Sequence, residues 1–241
     1  MKLIKKRIYH FFLIICLILL TSCASQINGV LRQGGAANLH VEAALEPRIT
    51  ILIRSLQSMM GEAGSGLILD GPAISLSLAA SDGVSSVSLE NTGPQAIRGN
   101  IAVNNIEDFL SVSGKRFITY NERVSGSSSS GSIHIYLDKE TAPELIAMLS
   151  SEAIEYLTAL MAPAVLGEDI SKDEYLMLVG SLYGRPIAGE ISTSMIRAII
   201  EFPGSITSIR GGTANRNQAV FTVPLLDLLV LETPISLEAG W

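Results

Sequence analysis

Few residues of this 241-residue chain are equipped for chemistry: two cysteines, three histidines and one serine-rich run stand out. His40 and His134 each sit among aliphatic residues on an alternating stretch, Leu39-His40-Val41 and Ile133-His134-Ile135. Brought together, they would make a metal or proton site. Alternation instead turns each imidazole to the face opposite its apolar neighbours, so solvent-facing histidines are expected. No H-E-x-x-H, H-x-H or acidic calcium loop accompanies them, and neither a metal nor a cofactor is predicted. Gly126-Ser127-Ser128-Ser129-Ser130 has the spacing of a nucleophile elbow, but Ser130 stands where the last glycine belongs. Gly126 to Gly131 has phosphate-loop spacing, but Ser132 replaces the lysine and a strand follows. Both read as loop composition. Glu168, Asp169, Asp173 and Glu174 surround a helix start, where capping and the helix dipole account for them. Asp108 and Asp227 sit in short helical turns, where a role towards neighbouring backbone N–H groups is expected. No catalytic residue is predicted.

The remaining reactive group is the Cys23 thiol. Lys2, Lys5, Lys6 and Arg7 precede an apolar run from Ile8 to Leu20, and Leu20-Thr21-Ser22-Cys23 follows. A basic segment, a short apolar one and small residues form the pattern of a secretory signal peptide. The apolar run falls short of the roughly 20 residues needed to span a bilayer. The run ending at Cys23 resembles the bacterial lipobox; Cys16, preceded by bulky Ile15, does not. The resemblance implies that the Cys23 thiol receives a diacylglycerol, that a peptidase removes residues 1–22, and that the new N-terminus is acylated. Several acyl chains anchor far more firmly than one. Ala24 after the cysteine implies the outer membrane of a double-membraned host. The body is similar to uncharacterised lipoproteins of diderm bacteria, spirochaetes among them. In general layout, and in Phe202-Pro203-Gly204 followed by short strands, it also resembles mycobacterial LppM-type lipoproteins. That likeness implies recognition of an amphiphile rather than catalysis.

Without residues 1–22 the chain keeps 13 basic and 23 acidic residues, a formal charge of −10. That sign excludes a nucleic-acid footprint and a polybasic membrane patch. Cys23 is then the single cysteine, with no partner for a disulfide. Positive mean hydropathy and abundant aliphatics are enough for a sizeable core.

Small polar residues predict a lipidated tether over 23–36, followed by one α+β domain over 37–241. Leu39, Val41, Ala43 and Leu45 alternate as a strand, and Pro47 opens a helix. A second helix carries Ile74, Leu76 and Leu78. Strands follow near Val84–Leu89 and Ala96–Val103, and a hairpin pairs Phe117–Glu122 with Ser132–Asp138. Helices are expected over Ala142–Met161 and Ser171–Tyr183, the latter with a Ser171/Glu174 capping box. Leu145, Ile146, Leu149, Ile154, Leu157, Leu160 and Met161 give the first of these an unusually wide apolar stripe. Strands at Ser194–Phe202, Ser205–Arg210 and Gln218–Val223, a short helix after Pro224 and a strand at Pro234–Trp241 complete the order. Met59, Met60, Met148, Met161, Met177 and Met195 read as core, or as the lining of an adaptable apolar pocket.

Four short segments match in one order between 37–131 and 132–241. Collinearity of this kind comes from internal duplication of a β-αα-ββ-α-β unit, or from convergence on a common alternation. Antiparallel sheets packed with helix pairs are expected, with a ligand groove between the halves. The function predicted is a non-enzymatic binding or interaction domain, held at an envelope membrane by lipid on Cys23. Its partner is a lipid or other apolar ligand, or an envelope protein. Two alternatives stand beside it. One is a structural role in envelope assembly. The other is a hydrolase with a non-standard site, which requires His40 or His134 within reach of a serine and a carboxylate.

Overall fold

Period-2 alternation makes strands that pair once one face can be buried. The computed structural model describes residues 25–59, 69–80, 83–106, 117–126, 128–142 and 151–241. The leader, Cys23, Met60, Asp108, Ser127, Leu145, Ile146, Met148 and Leu149 lie outside the described residues. The elements run β1 (Ser25–Leu31), β2 (Ala37–Ala44), α1 (Pro47–Met59), α2 (Gly71–Leu78), β3 (Val84–Gly93), β4 (Ala96–Val103), β5 (Ile118–Ser125) and β6 (Ser128–Leu137). Then come α3 (Ser151–Ala159), α4 (Pro163–Leu166), α5 (Lys172–Tyr183), α6 (Arg185–Thr193), β7 (Met195–Glu201), β8 (Ser208–Arg210), β9 (Gly212–Asn215), β10 (Gln218–Pro224), α7 (Leu225–Val230) and β11 (Ile235–Gly240). The class is α+β, as expected.

One sheet has seven strands in the order β3-β4-β2-β1-β7-β10-β9, and the other has four, β5-β6-β11-β8. All pairings are antiparallel except β1 with β7. The tether predicted over 23–36 is therefore corrected. Ser25–Leu31 is the middle strand of the larger sheet, with β2 on one side and β7 on the other. Gly29 interrupts the apolar face formed by Ile27 and Leu31, which removes the alternation that would have marked the strand.

The duplicated unit is not realised in the strand order. β2, β3 and β4 lie side by side, whereas their proposed counterparts are divided. β6 and β8 belong to the four-stranded sheet with β11 between them, and β10 pairs with β7 and β9 in the other. Residues 37–131 and 132–241 each contribute to both sheets. Apolar alternation is common to half-buried strands and aligns without shared ancestry.

The core joins the inner face of the larger sheet (Val41, Ala43, Ile97 and Ile101) to buried residues of the helices, among them Ile49, Leu52, Ile74 and Leu78. Leu76 points the other way and is exposed. Gly99, on β4 opposite Leu89 of β3, permits a close approach of backbones: a Cβ there would lie 1.9 Å from the Ser88 carbonyl oxygen. The wide apolar helix is described only as α3, where Leu157 is buried. It ends before Met161, whose φ of 52° is left-handed, and Pro163 starts α4. The Tyr175 hydroxyl of α5 donates to the Leu160 carbonyl at 3.1 Å, and burial raises the phenol above its ordinary range.

α5 begins as predicted. The Ser171 hydroxyl accepts from the Glu174 N–H at 3.3 Å, and Glu174 Oε2 accepts from the Ser171 N–H at 2.8 Å. α6 has no counterpart among the expected helices; Gly189, Ser192 and Thr193 weaken its helical signature.

Candidate functional site

The alternation that builds the sheets also decides what faces the space between them. Ile27, Ala198 and Ile200 of the larger sheet look towards Ile133, Ile135 and Leu237 of the smaller one, across a cavity of about 260 Å³. Every residue lining it is aliphatic, aromatic or glycine. In a close-packed interior these side chains would be fully buried, yet all six are only half-buried. Small residues hold the space open. Gly29 and Ala198 lie in the two parallel strands, and the methyl ends of Ile200 and Leu39 fold over Gly29, 2.7 and 3.0 Å from where a Cβ would be. An apolar cavity loses dispersion contacts on its walls and excludes water for want of polar partners. A smaller one, about 150 Å³, is enough to take up benzene in another protein. The arrangement therefore suits an apolar guest such as an acyl chain. The groove expected between chain halves is replaced by a cavity between sheets. Sequence reasoning missed it because β1, which supplies Ile27 and Gly29, reads as tether.

The histidines do not meet. His40 is on the outer face of β2, its Nδ1 3.0 Å from Asn100 Oδ1 and its Nε2 3.5 Å from Glu42. His134 is on β6 in the other sheet, between two cavity-lining isoleucines, so its ring points outward. His134 Nε2 lies 3.1 Å from Ser236 Oγ, and Glu238 is its opposite residue in the β6–β11 ladder. A serine, a histidine and a carboxylate thus share one sheet face. Glu238 pairs instead with Arg210 at 3.9 Å. Ser236 lies opposite Tyr136 in the β6–β11 ladder, short of the stretch of β11 that pairs with β8. With Glu238 turned to Arg210, the three groups do not form a relay.

Gly126, with φ of 61°, is in a turn, and Ser128, Ser129 and Ser130 open β6 rather than a helix. Ser129 donates to Glu122, which also accepts from the Tyr120 hydroxyl at 2.7 Å and from the Gly34 N–H at 3.0 Å. Trp241 Nε1 donates to Ser129 at 3.2 Å, and the indole stacks on Phe202 with centroids 5.0 Å apart. This network ties the β5–β6 hairpin to the β1–β2 turn.

Among the acidic residues, Asp169 pairs with Lys139, which lowers its carboxyl pKa. Hydrogen bonds from Ser171 lower that of Glu174, and the Thr141 N–H does the same to Asp138. Asp227, expected to serve backbone N–H groups, instead carries an ion pair with Lys172 at 2.6 Å. Among the described residues no three His, Cys, Asp or Glu side chains gather as a metal site would need. Met177 and Met195, expected in the core or a pocket lining, are exposed.

No family model matches the chain, and no curated protein matches it. Among solved structures it is similar to the NMR structure of the folded domain of the Mycobacterium tuberculosis LppM protein. The identity is 8%, the TM-score 0.35, and the match covers 91% of this chain and 90% of that one. A likeness at that level says nothing of activity.

Proposed function

We propose that this chain is a lipid-anchored protein of the bacterial envelope whose domain binds an apolar ligand, an acyl chain or a molecule of similar character, between its two sheets. The observation that carries the binding reading is the all-apolar cavity whose walls remain half-exposed. The basic and apolar leader and Leu20-Thr21-Ser22-Cys23 support the anchor, with diacylglycerol on Cys23. Ala24 favours the outer membrane where the host has two membranes. Non-enzymatic action fits a serine–histidine pair whose neighbouring Glu238 is engaged with Arg210 instead.

The test is native mass spectrometry of residues 24–241, which include every described element, purified from the host without detergent. A retained apolar mass is expected, and it should be lost from Ala198→Leu, whose longer side chain enters the cavity. An empty monomer sinks the binding reading and moves the weight to an envelope protein partner, sought by crosslinking. Intact mass of the full-length product, beside Cys23→Ser, tests the anchor separately.

A further inference from the structure

Strand direction gathers several elements at one edge of the larger sheet. β1 and β7 begin there, with Ser25 level with Ile196. β2 and β10 end there, Ala44 opposite Ala96 and Pro224 opposite Met195. α1 and α7 start from this edge and α6 runs into it. The Leu45 N–H donates to the Gln95 carbonyl, and the Leu225 N–H to that of Ser194, both at 2.9 Å. The opposite edge holds the β1–β2 turn, where Gly34 meets Glu122 of β5.

Large apolar side chains are exposed around the first edge. Met195 opens β7 and is 39% exposed, and Ile51, one turn into α1, is 63% exposed. Met177 is 67% exposed and shares a groove between α5 and α6 with Ser192, three residues before Met195. Two basic residues here are paired within the chain, Arg48 with Glu190 and Arg98 with Glu42, each at 3.2 Å, and Arg197, two residues past Met195, is exposed. Cys23 precedes Ser25 by two residues, a reach of at most about 7 Å.

We infer that the edge where β1 begins, with Met195 and Ile51, rests against the lipid bilayer, and that the β1–β2 turn and β5–β6 hairpin face away from it. The inference rests on the anchor reading of Cys23. With β1 a fixed strand and almost no tether, an acyl chain on Cys23 holds that edge at the surface. Exposed apolar side chains then meet lipid, and the contact is mainly apolar, because among the described residues the edge offers the single Arg197 and no cluster of unpaired basic side chains.

The experiment uses the full chain, processed in a double-membraned bacterium and reconstituted into phosphatidylcholine vesicles carrying a nitroxide-labelled lipid. Lipidation occupies the Cys23 thiol and processing removes Cys16, so an introduced cysteine is the sole site for a fluorophore. Met195→Cys and Ile51→Cys are compared with Val124→Cys, 53% exposed and two residues past Glu122 on the far hairpin. Lipid-borne quenching several-fold stronger at positions 195 and 51 than at 124, unchanged in molar salt, is expected. Equal quenching, or stronger quenching at 124, in a chain whose intact mass includes the lipid overturns the orientation alone. An intact mass without diacylglycerol overturns the anchor reading and the orientation with it.

Discussion

A methyl group at Gly99 would lie 1.9 Å from the Ser88 carbonyl oxygen and 2.7 Å from Leu89 Cα, both backbone atoms fixed by strand pairing. Gly99→Ala is expected to cost about 2–3 kcal/mol, read as a lowered urea midpoint. Gly29→Ala meets only the ends of Ile200 and Leu39, which can rotate away, and should cost about 1 kcal/mol or less. At Ser171 the expectation depends on pH. The folded state holds the Glu174 carboxyl below its ordinary value of 4.5, so the contribution to stability is complete above that value. It is lost as pH falls through the lower folded value. Ser171→Ala should lower stability by about 1 kcal/mol at neutral pH, with the gap in melting temperature narrowing in acid but not closing, because the hydroxyl's bond from the Glu174 N–H does not titrate. Ser236 touches His134 while Glu238 is engaged with Arg210, so Ser236→Ala should leave p-nitrophenyl ester turnover at the level of the unaltered protein. A specific rate lost in that variant would restore the hydrolase reading.

Among the elements, β1 decides whether the larger sheet exists. Residues 24–241 should unfold cooperatively in urea. A chain starting at residue 37 should not, because β2 and β7 would face an empty central place. Equal cooperativity in both would show that β1 is dispensable. How far the elements could be read from sequence follows from their residues. β2, with Val41 and Ala43 buried and His40 and Glu42 outside, carries a clean alternation. α5 carries its capping box, and α7 follows Pro224. β1 offers only Ile27 and Leu31 about a glycine, and its strand state comes from two neighbouring ladders that no local pattern encodes. α6 has weak helix formers and is held by α5 through the close contact of Gly180 with Ala188. The cavity was illegible for a further reason: it is a property of two sheets, and its walls combine residues that lie far apart in sequence.

Taken whole, the molecule is two unequal sheets clamped at one end and hollow between. The clamp is Trp241, which exchanges 2.9 Å backbone hydrogen bonds with Gly131 and stacks on Phe202 just past β7. Filling the hollow separates a binding site from a packing defect. Ala198→Leu should raise stability by about 1–2 kcal/mol in unliganded protein, since its added carbons replace void. A lowered melting temperature would mean that the space is not empty. Three of the four outer edges are blunted in ways that discourage association: β8 has three residues, β9 has four, and β3 is interrupted by register shifts, while β5 keeps eight residues in unbroken register.

The parallel pairing of β1 with β7 has a consequence for how the molecule comes into being. Ser25 and Ile196 are neighbours in the sheet but 171 positions apart in the chain. A polypeptide made from its N-terminus delivers β1 at the outset and β7 only after most of the remainder. β2 can zip onto one side of β1 at once, but the other side waits through the passage of more than half the chain. During that wait it is an open edge of the kind that pairs with another copy. The step most exposed to aggregation is therefore the interval between the making of β1 and that of β7. Slow, late closure by β7 should set the pace of refolding as well.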